Sequence, residues 1–223
     1  MTPTVLDIDN HLLVVCKPAG MLSQADETGD ADVITWAKDY LKNRFDKPGN
    51  VFAGLVHRLD RPASGVMVVA RTSKAAARLS EAFKGREVEK RYLALLEGRP
   101  PAEGRAEDRI AKIGREVRVV KPGNPAGKHA ALTWTVLGMM DRTTLVEVTL
   151  ETGRPHQIRV QMASRGWPLV GDLRYGARGE FDGRNLALHA HRLALEHPVR
   201  REPAAWAAPL PAGWPGWCRG LVE

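Results

Sequence analysis

Residues 57–70 read His-Arg-Leu-Asp-Arg-Pro-Ala-Ser-Gly-Val-Met-Val-Val-Ala, a charged stretch that passes through a turn into an apolar run. Val66–Ala70 has the length and β-branched content of a buried strand, and Pro62 and Gly65 mark the turn ahead of it. Asp60 therefore stands at the entrance to a strand, flanked by Arg58 and Arg61. A cation within about 4–6 Å favours the ionised carboxyl, so Asp60 suits a nucleophile or charge stabiliser rather than a general acid. Taken alone, an exposed ion pair here would contribute only about 0–1 kcal/mol.

Working outward, Leu12–Cys16 is a second apolar run, ended by the turn Lys17-Pro18-Ala19-Gly20. Asp32 is placed to cap a helix whose stripe is Val33, Trp36, Ala37, Tyr40 and Leu41. Val51–Val56 reads as a strand, so the opening motif is expected between two strands. Thr72 or Ser73 caps a further helix with Ala76, Leu79 and Phe83 on one face, and Gly85 is expected at its C-terminal cap. Arg91–Leu96 has strand character, with Tyr92, Ala94 and Leu96 on one face.

Residues 97–130 mix glycine, proline and charge and read as long loops over a hairpin, with a short strand at Val117–Val120. Strands follow at Ala131–Leu137 and Thr144–Leu150. In the segment after Glu151, Pro155 at a first helical position and Gly166 at the end favour a helix over a strand. On that helix Arg159 would lie apart from Ile158 and Met162, in the position of a solvated arginine. A glycine-rich basic loop, Gly171–Asn185, precedes Leu186–Leu195. Strands outnumber helices and come in runs, which gives an α+β class with a mainly antiparallel or mixed β-sheet core.

A chain of 223 residues can bury its own core without disulfides or metal, as one large domain or two small lobes around a cleft. No apolar run approaches the ~20 residues of a membrane helix, and the short run before Lys17 is no signal-peptide core. The expected compartment is the cytoplasm, and the two cysteines, Cys16 and Cys218, fit reducing conditions. Lysine and arginine total 33 against 26 acidic residues, a net charge of +7 that favours a polyanionic partner such as RNA or DNA. GxxxxGK[ST], GxGxxG and GxSxG are all missing, so nucleotide-driven chemistry and the common hydrolase elbow have no support. His189 and His191 would share a strand face, but no neighbouring carboxylate completes a ligand set and no metal site is expected.

Several of these segments, in order along most of the chain, resemble the motifs of the RluA-type family of RNA pseudouridine synthases. They are LLVVCKPAGM, HRLDRPASGVMVVA, EKRYLALLEG, ETGRPHQIRVQMASRGWPLVGDLRYG and LALHAHRLAL. The resemblance implies the pseudouridine synthase fold: flanking helices and loops around a catalytic cleft, and a single catalytic domain over 1–223 with no separate N-terminal RNA-binding domain. It implies an isomerase that needs no cofactor and no metal, that acts on tRNA or ribosomal RNA, and that works on a flipped-out uridine. Carried onto this sequence, the family's nucleophilic aspartate is Asp60, its active-site tyrosine Tyr92, and the arginine that pairs with the aspartate Arg159. Arg58 would fill the gap left in the base stack, while Lys17, Arg61, Arg154 and His156 would support phosphates or the cleft.

Two positions depart from the family pattern, which usually has Thr where Ala63 stands and His where Gln161 stands. The expectation is a monomer acting on RNA without a membrane. The alternatives are a non-catalytic RNA-binding or RNA-folding module on the same scaffold, and a base-releasing glycosidase. The glycosidase reading lacks a second carboxylate in these motifs to activate water.

Overall fold

The structure, a computed structural model, describes residues 1–114, 116–183 and 185–222. In chain order the strands and helices begin with β1 (Thr4–Ile8), β2 (Leu12–Lys17), α1 (Val33–Arg44), β3 (Gly54–Leu55), β4 (Ser64–Ala70) and α2 (Ser73–Gly85). They continue with β5 (Glu89–Glu97), β6 (Glu103–Ile113), β7 (Glu116–Val120), β8 (Lys128–Met140) and β9 (Thr143–Leu150). The last are α3 (Gln157–Ala163), β10 (Leu188–Glu196), β11 (Pro203–Ala207) and α4 (Gly216–Arg219). None of these helices is long and apolar enough to cross a membrane.

Contacts divide the chain into two compact units, Met1–Lys90 with Ala190–Pro209, and Arg91–His189 with Leu210–Glu223. In the first, β2 pairs antiparallel with β4 from Leu12↔Ala70 to Lys17↔Gly65. β1 covers the outer side of β2, β10 lies next to β4, and β11 pairs antiparallel with β10. Every residue of β4 is buried, which is why Val66–Ala70 reads as an unbroken apolar run rather than an alternating one. Ala75 and Leu79 of α2 close over Leu12, Val14, Val66 and Val68, and each aliphatic side chain so enclosed contributes about 1.5–3 kcal/mol.

Both helices start where the sequence places them. Asp32 accepts hydrogen bonds from the Ile34 and Thr35 amides, and Thr72 Oγ1 accepts one from the Ala75 amide. Along α1, Val33, Ala37 and Leu41 are buried, while Trp36 and Tyr40 stack on each other with centroids 5.1 Å apart. The end of α2 differs from expectation. Gly85 is its last helical residue, and Arg86 takes the left-handed cap at φ 63°. The expected strand at Val51–Val56 reduces to Gly54–Leu55, paired with β4.

The second unit is an antiparallel sheet ordered β5-β9-β8-β6-β7, so the α+β class with an antiparallel sheet is found as expected. Here the expected loops over 97–130 are corrected: β6 is an eleven-residue strand paired with β8 on one side and β7 on the other. Its glycine misleads, because Gly104 marks a close approach and not a turn. A Cβ there would stand 2.2 Å from the Trp134 ring. Ile110, Val117 and Ala130 of this sheet pack with Val160 of α3.

Candidate active site

In the first unit, the chain between β3 and β4 is tied down at nearly every residue around Asp60. His57 Nε2 accepts a hydrogen bond from the Val68 amide at 3.0 Å, and the imidazole stacks on Phe83 with centroids 4.5 Å apart. Burial, helped by the Lys90 ammonium, pushes the His57 pKa down to about 3, so the ring is neutral and its remaining proton is on Nδ1. Ser23 Oγ donates to Leu59 O at 2.8 Å and accepts from the Leu59 amide at 3.1 Å. The Ala63 amide donates to Asp60 O at 3.0 Å, closing the turn, and Ala63 itself is buried.

The turn after β2 clasps the other side. Gly20, at φ 85°, donates its amide to Arg61 O at 2.8 Å, and Arg61 Nε donates back to Gly20 O at 3.1 Å. Gly65, at φ 121°, lets β4 start against the backbone of Ala190, where a Cβ would lie 2.3 Å from the carbonyl oxygen. The Asp60 carboxylate is thus carried, part-exposed, by a loop held from both ends.

The flanking cations divide differently from the simple reading. Arg58 is exposed. Arg61 also pairs with Asp30 at 2.7 Å, an exposed contact of small energetic weight. Lys17 is wholly buried, with Nζ donating to Pro18 O, Met21 O and Arg61 O at 3.0, 2.8 and 3.2 Å. Three donors on three carbonyls leave none for an RNA phosphate, so of the two roles expected for Lys17 the phosphate contact is corrected to support of the cleft. Burial lowers the Lys17 pKa to about 7, against the pull of the Asp60 carboxylate.

Tyr92 and Arg159 belong to the second unit. Tyr92 is half-buried on β5, opposite Val148 of β9. Arg159 is not the solvated arginine that helical spacing suggests. Residues Gln157–Met162 of α3 are all buried, so this helix has no solvent face on which to place it. Its Nε donates to Asp172 Oδ2 at 2.6 Å and its Nη2 to Asp172 Oδ1 at 2.9 Å, a two-pronged pair. The Tyr175 ring lies against the guanidinium, 5.1 Å from centroid to Cζ.

Around that pair, Tyr175 Oη is hydrogen-bonded to His156 Nδ1 at 2.8 Å. Burial pushes the Tyr175 phenol up, while Arg159 and Arg174 pull it down, so it keeps its proton at neutral pH. His156 is a left-handed residue at φ 52° preceding α3; Pro155 lies outside the helix instead of at its first position. Arg154 is half-buried with Nε donating to His129 O at 2.9 Å. Gln157 holds the turn by accepting from Thr152 Oγ1 and the Arg154 amide. Gln161 donates to Asp108 at 2.7 Å, and its Oε1 is buried with no hydrogen-bond partner. Asp172 and Tyr175 were given no role of their own, although the Gly-Asp-Leu-Arg-Tyr-Gly run at 171–176 closes one of the segments that resemble the family.

Among the described residues no three His, Cys, Asp or Glu side chains are grouped to hold a metal ion. Residues 11–164 match the family defined as RNA pseudouridylate synthase. This chain belongs to that family. The matched span of the synthase family includes Asp60, Tyr92 and Arg159, and ends before Asp172 and Tyr175. The chain is 36% identical over 219 residues to the ribosomal large subunit pseudouridine synthase D of Yersinia pestis, covering 91% of this chain and 66% of that protein. It spans about two thirds of the length of the curated synthases it matches first. Human RNA pseudouridylate synthase domain containing 4 shares the fold with a TM-score of 0.79 at 24% identity, over 94% of this chain and 89% of its own. Human RNA pseudouridylate synthase domain containing 1 does so with a TM-score of 0.73 at 26% identity, over 94% and 84%.

Proposed function

We propose that this protein isomerises uridine in RNA to pseudouridine, with Asp60 as nucleophile. In that reaction the bond from ribose carbon 1′ to uracil nitrogen 1 breaks and a bond from carbon 1′ to carbon 5 forms. The hydrogen on carbon 5 leaves as a proton, and nitrogen 1 takes one up. The observation that carries the reading is the Asp60 loop: a part-exposed carboxylate on a turn whose backbone is fixed from Ser23, Gly20 and Lys17, within the span that matches the family. A nucleophile gains from such fixation because little ordering is left for the transition state.

Tyr92 supplies a ring face for the uracil and a hydroxyl for proton relay, and the resemblance gives Arg159 the role of the nucleophile's cationic partner. Arg58 takes the place of the extruded base, and Arg61, Arg154 and His156 support phosphates. Relatives named for the ribosomal large subunit favour ribosomal RNA over tRNA as the substrate. The protein acts as a cytoplasmic monomer, as one catalytic domain and without a cofactor.

The test uses unmodified ribosomal RNA and tRNA carrying tritium on carbon 5 of uridine. The enzyme releases the label, and Asp60→Asn abolishes release while RNA binding stays within a few-fold. No release from any RNA overturns the synthase reading in favour of an RNA-binding module, and free uracil among the products would indicate a glycosidase.

A further inference from the structure

Two features that cost stability meet beyond the end of α2, in the first unit. Arg86 takes the left-handed cap at φ 63°, a position that helices usually give to glycine because a Cβ there crowds the following carbonyl. Of the other non-glycine residues at positive φ, three are aspartates, which tolerate the region, His156 is bonded to Tyr175, and Arg201 pairs with Glu196 at 2.7 Å. Arg86 has no such tie: its side chain is exposed, and among the described residues no carboxylate pairs with it.

The second feature is Lys90, half-buried at the start of β5 and likewise without a carboxylate among the described residues. The acidic neighbours in sequence face elsewhere. Glu87 turns back over Gly85, its Oε1 3.1 Å from where a Cβ would stand, and Glu89 occupies the opposite face of the strand. The charge that acts on Lys90 is the Arg86 guanidinium, and burial together with that cation pushes the lysine pKa down. Lys90 in turn acts on His57, whose ring stacks on Phe83. The Phe83 carbonyl accepts the Arg86 amide at 3.4 Å, so Phe83 joins the imidazole to the cap. His57 is neutral and supplies no countercharge.

Two cations are thus held together against their mutual repulsion, one of them partly stripped of water. What such a pair lacks is an anion. A phosphodiester fits both partners, since a guanidinium can span two of its oxygens and an ammonium serves as a point charge.

We propose that Arg86 and Lys90 form a binding site for a backbone phosphate of the RNA substrate, beside the loop that runs from His57 to Asp60. The inference rests on the synthase reading for RNA as the ligand. Backbone strain and uncompensated charge, both costs to the free protein, are offset when the phosphate binds.

The experiment compares wild type with Lys90→Met, which keeps the apolar stem, and Arg86→Gly, which suits the cap. Lys38→Met removes one charge from an exposed position of α1 and measures the effect of net charge alone. Binding of unmodified ribosomal RNA and tRNA is followed from about 50 to about 200 mM salt, with thermal melts of the free proteins and tritium release from carbon 5 of uridine. Lys90→Met and Arg86→Gly each weaken both RNAs by a similar factor, because a phosphate contact carries no sequence information. Each lowers the slope of log K against log salt by about 0.7–0.9, and Lys38→Met by less. Neither variant melts below wild type, since one loses a repulsion and the other a crowded cap. Side chains that only supported the fold would melt lower when replaced.

A wild-type salt slope in either variant overturns the proposal, as does a loss of affinity no greater than that of Lys38→Met, or a lowered Tm in either. Wild-type protein that binds no RNA overturns the site and the synthase reading together. If the two variants lose salt-dependent binding as expected and wild type releases no tritium from any RNA, the phosphate site stands and the synthase reading is what fails.

Discussion

Replacing Asp172 by asparagine tests the electrostatics of the second unit directly. The substitution keeps the shape of the side chain and leaves untouched the backbone carbonyl of Asp172, which accepts from the Tyr175 and Ala177 amides. What it removes is the negative charge facing Arg159 across bonds of 2.6 and 2.9 Å, where the two side chains are 7% and 1% exposed. Removing one partner of a buried ion pair costs about 3–5 kcal/mol where nothing else compensates the remaining charge. Here the amide oxygen still accepts one bond, and the Tyr175 ring contributes about 0.5–2 kcal/mol of cation–π attraction, so the expected loss is at the low end, about 3 kcal/mol. For a chain of this size that corresponds to a fall in Tm of roughly 6–12 °C. Urea denaturation followed by both tryptophan fluorescence and circular dichroism measures it, coincident curves being the condition for a single free energy. Arg159→Met combined with Asp172→Leu should recover most of the stability, since an apolar pair of similar volume replaces the ions at little net cost. A loss below about 1 kcal/mol for Asp172→Asn, the value of an exposed pair, would refute the assignment of a buried, mutually dependent pair.

Gly65→Ala combines a backbone at φ 121° with a new carbon 2.3 Å from Ala190 O, and is expected to cost about 3 kcal/mol or more; a wild-type urea midpoint would contradict the strand contact. His57 should show no imidazole titration between about pH 5 and pH 8 in proton NMR, because burial holds it at about 3. Its folded pKa lies below the unfolded one, so the unfolded state takes up the proton first. Stability should therefore fall by up to about 1.4 kcal/mol per pH unit as pH drops from about 6.5, and a His57→Gln variant that folds should lose that component of the slope. Thr72→Ala removes the acceptor of the Ala75 amide and should lower stability by about 1 kcal/mol, restored in part by Ser; no change would mean the cap contributes nothing to α2.

The parts of the fold that were legible in the sequence are those where local chemistry and tertiary packing agree. Asp32 and Thr72 cap their helices because a short oxygen-bearing side chain satisfies open amides wherever a helix starts. Val66–Ala70 is buried on both faces and has no polar residue to alternate. β6 failed that test for a physical reason. Its exposed positions carry Glu103, Arg105, Glu107 and Arg109, its buried ones include Ala106 and Ile110, and its glycine exists to admit an indole ring. Composition alone cannot tell that glycine from one in a turn.

The candidate site separates along the same line. Resemblance nominates Asp60, Tyr92 and Arg159, but it does not reveal the local hydrogen bonds around Asp60 and Arg159. A sequence pattern treats lysine and arginine as solvated, since burying either is costly. Lys17 and Arg159 contradict the pattern because each meets its donors' requirements by a different device: three carbonyls for the ammonium, and a bidentate carboxylate with an aromatic face for the guanidinium. Two of the three carbonyls, from Pro18 and Met21, are sequence neighbours, but backbone acceptors leave no trace in side-chain identity. Asp172 does leave one, yet it is thirteen residues from Arg159, and only α3 being buried all round turns that separation into a contact. Exchanging the two devices would fail in both places, because a point ammonium cannot span both oxygens of Asp172 while its stem lies under Tyr175, and a planar fork cannot converge on three carbonyls around one nitrogen.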